Sequence, residues 1–540
     1  MNFHIEGNQF FREGDYLSAW NCYTKGLAQT PQNPVLWSNR SLTDMKLNVF
    51  ELGYIDALKA YNLLKDQHTN DQNLQLLFIK TIDRMSESLS KFGVFPRAIT
   101  ILDSFLDNPL YNNILSMQLR QQLLRKKDDY QIQLNSKLAL NTMFIFESLN
   151  HVPNTNEIIK RIMDMGMTNF NYPWDRERLE SRGNELNIGK LQRELDIISS
   201  KSVTISLLNP NKQNTSCETF TTQLGIFAKE EISEGTVALN EDPFLTVHGY
   251  TSPRCSHCAR YLKDSNFKDF KIDQDNNLST LNCQNNKNCT EIFCNKQCFD
   301  LAMTQYHPAL CGKNLQPFLH ILHQHKSGKG DSNPLFLLKI FAYAKMRNIS
   351  PLDIQEIKYL AQYRPSSIGI TNDKKMEAYL PSIYFDFYFS TLELLEISPY
   401  DIQYDFWIYI TIMCKLQVNS FGRDGLACLY KFMSFINHSC VPNAYTDPYV
   451  SMQYTGGKDE SSDEEIKENN INLVSLRKIQ KGEQIFISYC NETLNKEDRA
   501  IHLIPAYGFE CTCEKCRNED PQDLCHVYLL PIWWLDCFRE

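Results

Sequence analysis

The chain has 540 residues and a formal net charge of −9, from 55 Lys and Arg against 64 Asp and Glu. That length suggests about three or four domains with ample core, and an acidic balance excludes a general nucleic-acid coat, which needs a basic footprint. Hydrophobic residues at 42% and aromatics at 12% describe a globular chain, not a disordered one.

The N-terminus, Met1 to Glu6, shows neither the basic nor the apolar region of a signal peptide, and no apolar run approaches the roughly 18 residues a membrane span needs. A cytoplasmic and/or nuclear location is therefore expected, with no membrane partner and no sequence-specific nucleic-acid binding. The 18 cysteines would stay reduced there, and clustered ones would bind metal.

In chain order, Gly7, Phe10, Gly14, Tyr16, Ala19, Tyr23 and Pro31 fall at the offsets of a 34-residue helix-turn-helix repeat. A second unit runs from Pro34 with Trp37, Ser41, Ala57 and Tyr61, and a weaker third carries Phe92, Ala98, Phe105 and Pro109. Residues 1–110 thus resemble a tetratricopeptide array. The resemblance implies either a groove for peptide or protein partners or a helical scaffold without a ligand. Residues 111–200 read as a helical linker, with Leu115, Leu119 and Leu123 at helical spacing.

The period changes at about 201. Val203–Leu207 reads as a strand, and Gly225–Ala228 followed by Gly235–Leu239 reads as a hairpin that continues into more strand. Residues 312–420 turn helical, and short strands return from about 433 to 490. The acidic run from Gly456 to Asn470 reads as a solvated insertion between two strands, 449–454 and 471–476.

Between 255 and 311 the chain places Cys255, Cys258, Cys283, Cys289, Cys294, Cys298, His307 and Cys311. Eight ligands suffice for two tetrahedral zinc ions, and four protein ligands per ion leave no open position, so the ions would be structural. The order resembles a MYND zinc finger. In that family the ligands interleave, which implies Cys255, Cys258, Cys294 and Cys298 on one ion and Cys283, Cys289, His307 and Cys311 on the other. A further triad, Cys511, Cys513 and Cys516, is one thiolate short of a site.

The most informative segment is Asn437-His438-Ser439-Cys440-Val441-Pro442-Asn443. It matches the NHSCxPN motif of SET-domain protein methyltransferases. Gly482-Glu483-Gln484-Ile485 through Tyr489 resembles that family's GEEhxxxY element, and the cysteine triad resembles its post-SET zinc arrangement, with Cys440 as the fourth ligand. Gln223-Leu224-Gly225 stands where the family usually has the Gly-x-Gly cofactor loop. These elements occur in family order, and a MYND-like finger interrupts them. The chain is accordingly similar to the SET- and MYND-domain-containing lysine methyltransferases, in the branch with N-terminal tetratricopeptide repeats.

The resemblance implies a multidomain α+β protein. Its segments are 1–110 helical repeats, 111–200 linker, 201–250 first SET part, 255–311 MYND finger and 312–420 helical insert. They continue with 421–490 SET core, 491–517 post-SET segment and 518–540 tail. It also implies S-adenosyl-L-methionine as cofactor, about three structural zinc ions, and a protein substrate, histone or non-histone, carrying the target lysine. Tyr489 and Tyr507 would be catalytic. Leu224, Gly225, Asn419, Asn437, His438, Tyr489 and Phe509 would bind the cofactor. The chemistry needs a neutral amine, although a lysine's ordinary pKa is about 10.4. It also needs a narrow channel aligning that amine with the methyl group, a task suited to a tyrosine ring and hydroxyl. The alternative expectation is a zinc-stabilised interaction scaffold with a degenerate SET core, built on the repeats and the finger. Seven cysteines (Cys22, Cys217, Cys414, Cys428, Cys490, Cys525, Cys537) lie outside both ligand patterns and read as ordinary thiols.

Overall fold

A computed structural model describes residues 3–519, except 68–70, 112–113, 149–154, 169, 209–222, 250–253, 261, 263–280, 284, 326–331, 364–368, 372–373, 376–377, 424–425 and 449–469. The acidic insertion (apart from Asn470), the strand expected at 449–454, and Cys217, Cys525 and Cys537 lie outside the described residues. The chain divides into two compact units. One comprises Met1–Trp174 with Glu377–Ile410, the other Asp175–Met376 with Thr411–Glu540. Among the described residues no helix is long and apolar enough to cross a membrane.

The first unit opens with three consecutive helix pairs: α1 (Phe3–Glu13) and α2 (Tyr16–Gln29), α3 (Pro34–Lys46) and α4 (Phe50–Leu64), and α5 (Gln72–Phe92) and α6 (Phe95–Leu106). Their boundaries are written locally. Asp15, Asn33 and Asp71 each accept a backbone N–H of the first turn, and Pro34 begins α3. Gly7 lets α1 lie against α2, because a Cβ there would stand 2.5 Å from the Tyr23 ring. Ala19, Tyr23, Leu27, Leu36, Trp37 and Ala60 form the buried centre.

Helix α4 is buried nearly all round, including Asp56 and Lys59. The explanation lies far along the chain. The later segment of this unit packs on it, with the Tyr54 and Phe385 rings 4.9 Å apart. Asp405 accepts from Arg40 at 2.9 Å and from Lys59 at 2.7 Å, and Arg40 also pairs with Asp56 at 2.6 Å. Both cations lie over the Trp37 ring, at 4.6 and 4.3 Å. Buried charges of this kind hold only when fully paired. A strand, Met165–Thr168, pairs antiparallel with Ala378–Pro381 inside the stretch that reads as continuous helix in sequence. Its partner is some two hundred residues away, so nothing local announces it.

The second unit is built from small sheets. Val203–Leu207 pairs antiparallel with Leu224–Ala228. Val237–Glu241 pairs instead with Ile471–Ser475, which also pairs with Ala444–Pro448. The hairpin expected between 225–228 and 235–239 is therefore not formed. The two strands are neighbours in sequence but join different sheets, because each finds its hydrogen-bonding edge elsewhere. Leu245–His248 pairs with Leu426–Leu429, which pairs with Ser420–Arg423. The decisive contact is short and parallel: Asn437–His438 against Phe486–Ile487. Ile226, Leu239, Phe435, Ile436, Leu473, Ile485 and Ile487 share one buried core.

Candidate active site and metal centres

Glu241 prepares the approach to the site. Its buried carboxylate accepts from the backbone N–H groups of Lys431 (2.7 Å), Phe432 (2.9 Å) and Met433 (2.8 Å), which fixes the turn leading to Asn437. Burial pushes its pKa up to about 7 against those hydrogen bonds. The next anchor is Asn443. Its amide donates to Glu483 Oε1 (3.1 Å) and Gln484 O (2.8 Å), and its Oδ1 accepts from Phe486 N–H (2.8 Å). Arg477 holds Glu483 at 2.6 Å and draws its pKa down to about 2. These bonds lock the two segments that carry Asn437–His438 and Tyr489.

His438 is buried, and both its ring nitrogens are engaged. Nδ1 accepts from Tyr489 N–H at 3.0 Å, so the proton sits on Nε2, which faces Cys440 Sγ at 3.3 Å. Burial, aided by the Arg499 cation, lowers its pKa to about 4, and the ring stays neutral. The Tyr489 hydroxyl donates to Ile436 O at 2.5 Å, and burial pushes the phenol well above its ordinary value. The Tyr507 ring stands 4.7 Å from that of Tyr489, and the Phe509 ring lies 5.9 Å from that of His438 and 6.3 Å from that of Tyr489. Four aromatic side chains thus wall one place.

Leu224 and Gly225 border it. Asn437 donates from Nδ2 to Leu224 O at 3.0 Å. A Cβ on Gly225 would stand 2.6 Å from Gln484 Nε2 and 3.1 Å from Asn437 Nδ2, so the missing side chain is what lets these two amides close on the Leu224–Gly225 backbone. Gln223, in place of the usual glycine, is exposed. Asn419 ends the helix Phe406–Asn419. Its amide donates to Ala361 O and Lys415 O, while its buried Oδ1 has no hydrogen-bond partner. Among the described residues no hydrogen bond joins its side chain to Asn437, His438 or Tyr489. The Asn419 carbonyl accepts instead from Ser434 Oγ at 3.4 Å. The buried Asn419 Oδ1, left without a hydrogen-bond partner, could accept from the amino group of a cofactor.

Three groups of four ligand atoms come together, the atoms in each lying within 4.8 Å of one another. They are Cys255, Cys258, Cys294 and Cys298; Cys283, Cys289, His307 and Cys311; and Cys440, Cys511, Cys513 and Cys516. Cys294 and Cys298 sulfurs are 3.5 Å apart, Cys283 and Cys311 3.5 Å, and Cys440 and Cys511 3.8 Å. A tetrahedron with metal–sulfur bonds of about 2.3 Å has edges of about 3.8 Å, so each group could hold a zinc ion. Lys339 ties the finger to its surroundings, donating to Ser256 O (2.9 Å), Thr246 O (2.8 Å) and the Tyr306 hydroxyl (3.1 Å).

Sequence reasoning missed Arg499. It is almost wholly buried and donates from Nε to Cys440 Sγ and from a terminal nitrogen to Cys516 Sγ, both at 3.2 Å, while pairing with Glu519 at 2.7 Å. It joins the NHSC segment to the cysteine triad and partly offsets the charge of four thiolates. An arginine inside an ordinary helix carries no signal of this. Cys490, read as an ordinary thiol, also lies here, within 4.8 Å of Cys440 Sγ and a His438 ring nitrogen.

Residues 340–490 match the profile of the SET domain, which defines the class of this site. The chain is 26% identical over 324 residues to the histone-lysine N-methyltransferase ASHR2 of Arabidopsis thaliana, covering 54% of this chain and 69% of that protein. It is 29% identical over 212 residues to a SET and MYND domain-containing protein of Dictyostelium discoideum (39% and 52%). With the SET domain and MYND-type zinc finger protein 6 of Schizosaccharomyces pombe it shares 32% over 129 residues, 23% of each chain. The chain spans about half the length of the Dictyostelium protein and about a quarter of the yeast one. On these matches residues 340–490 form a SET domain, and the chain is similar to SET- and MYND-domain-containing proteins and histone-lysine methyltransferases. The first tetratricopeptide domain of human RPAP3 aligns at 26% identity with 24% of this chain and 93% of its own length. Its TM-score of 0.18 is too low to argue a fold, and the array is defined by its own helix pairs.

Proposed function

We propose that this protein is an S-adenosylmethionine-dependent protein-lysine N-methyltransferase acting on histone or non-histone protein lysines. One observation carries the reading. The parallel pairing of 437–438 with 486–487 joins the segment of Tyr489 and the aromatic wall to Asn437, whose amide holds the Leu224 carbonyl beside Gly225. Those two residues, with Asn437, Phe509 and the orphaned acceptor of Asn419, would hold the cofactor. His438 would contribute its ring face and backbone, since both ring nitrogens are occupied. S-adenosylmethionine, when bound, supplies an electrophilic methyl group.

The residues of the chain do the rest. Tyr489 and Tyr507 wall a lysine side chain, exclude water and align its amine. Exclusion of water favours the neutral amine that must react. The Tyr489 oxygen and the Ile436 carbonyl place electron-rich atoms where positive charge is shared in transfer. The three metal sites are structural, and the third fixes Cys440 and thereby His438. The helical repeats and the finger are surfaces for protein partners. Reduced cysteine clusters suit a cytoplasmic or nuclear location.

Calorimetric titration of the zinc-loaded chain with S-adenosylmethionine, followed by transfer of labelled methyl to candidate proteins, tests this reading. Absence of binding at high micromolar cofactor would remove it.

A further inference from the structure

One thiol beside the third cysteine group has no place in that group's ligand set. Cys490 follows Tyr489 directly, and its Sγ lies within 4.8 Å of Cys440 Sγ. Cys440 is buried, whereas Cys490 is partly exposed. The residues after it, from Asn491 to Asn495, form neither helix nor strand, and the Ser488 hydroxyl donates to Cys490 O at 2.7 Å. A disulfide needs its sulfurs about 2.05 Å apart and its Cβ atoms about 4 Å apart. The Cys511 and Cys516 sulfurs stand nearer to Cys440, at 3.8 and 3.5 Å, but belong to the ligand set, whereas Cys490, within 4.8 Å, lies outside it and needs a side-chain rotation to meet that requirement.

The geometry points to Cys440 and Cys490 as a redox pair that a hydroperoxide converts to a disulfide, withdrawing Cys440 from the third metal site. The chemistry balances as follows. The Cys440 thiolate attacks hydrogen peroxide: an S–O bond forms, the O–O bond breaks and hydroxide leaves. The Cys490 sulfur then attacks the sulfenic sulfur. The S–S bond forms, the S–O bond breaks, and the oxygen leaves with the thiol proton as water. Two sulfurs lose two electrons, and the peroxide is reduced to one water and one hydroxide.

The consequence follows from contacts already described. Cys511, Cys513 and Cys516 alone leave a metal with an open position and lower affinity. His438 Nε2 loses its thiolate partner, and His438 Nδ1 is what holds the Tyr489 N–H. Arg499 loses one of the two sulfurs it bridges. Oxidation therefore reaches the Tyr489 wall without touching it. This inference rests on the third metal site proposed above, and it assigns Cys490 a task that the four-ligand set does not.

The zinc-loaded full chain is exposed to graded hydrogen peroxide. Released zinc is followed with a chromogenic chelator, and disulfides are mapped by mass spectrometry of non-reduced peptides. Loss of one zinc with a Cys440–Cys490 linkage, both reversed by dithiothreitol and added zinc, is the expected result. In Cys490→Ser, zinc release at the same dose should be several-fold slower. Equal release from the variant, or a linkage confined to Cys511, Cys513 and Cys516, would overturn the inference. If the third site proves to hold no zinc, the metal reading fails separately, and the peptide map still decides the redox pair.

Discussion

His438 accepts the backbone N–H of Tyr489 at 3.0 Å while its other ring nitrogen stands 3.3 Å from Cys440 Sγ. One imidazole thus spans the distance between a candidate catalytic residue and a candidate zinc ligand. The arrangement explains why an active-site segment and a distant cysteine triad belong to one device.

Removal of the third site should therefore reach the chemistry. In Cys516→Ser the metal content of purified protein should fall by about one zinc per chain, with the finger's two sites kept. Methyl transfer should fall with it. A variant that loses the metal yet keeps full transfer would break the link through His438.

Tyr489→Phe keeps the ring and removes the hydroxyl that donates to Ile436 O at 2.5 Å. Cofactor affinity should stay within about twofold, and methyl transfer should fall by about 10²–10⁴. Titration calorimetry and single-turnover transfer measure the two separately. Equal loss of both would contradict the assigned role.

Gly225→Ala adds a Cβ 2.6 Å from Gln484 Nε2 and 3.1 Å from Asn437 Nδ2. The added methyl would push these two amides from the Leu224–Gly225 backbone. Cofactor binding should weaken by about tenfold, about 1.4 kcal/mol, with some loss of stability because Gln484 and Asn437 must shift to admit the methyl. Unchanged affinity by calorimetry would place the cofactor elsewhere.

Glu51 is buried in the first unit, where its carboxylate accepts from Thr168 and Tyr172 hydroxyls, and burial raises its pKa to about 7. The folded chain therefore holds a proton that the unfolded chain releases near 4.5. This stabilising difference is present in full below about pH 4.5 and is lost as pH rises to about 7, a change of about 3 kcal/mol at most. Glu51→Gln keeps the acceptor and removes the charge. It should stabilise the repeat unit at pH 8, and much less at pH 5, as measured by denaturant titration at both values.

Asp405→Asn should destabilise the same unit by about 3–5 kcal/mol, because it leaves Lys59 buried without a charged partner and Arg40 with Asp56 alone. Adding Lys59→Met should recover part of that loss. A small single effect in denaturant unfolding would show that the network is relaxed by water.

The sequence by itself carried the ligand clusters, the chemistry proposed for the site and the repeat units. All rest on local patterns: cysteine spacing, the NHSCVPN heptapeptide, and the 34-residue offsets of Gly7, Ala19 and Tyr23. Gly7 was legible for the same reason, since close helix crossing demands a missing Cβ. Only the tertiary structure decided which strands pair. Val237–Glu241 chooses Ile471–Ser475 over its sequence neighbour, and Met165–Thr168 pairs with Ala378–Pro381. Strand pairing depends on which unpaired edge is free, and that information is spread over hundreds of residues. The same holds for Arg499, Glu241 and Cys490. Each is an ordinary residue in sequence and acquires its part only where separate segments converge. Burial at such a place removes water as the alternative partner and leaves the neighbouring sulfur or amide.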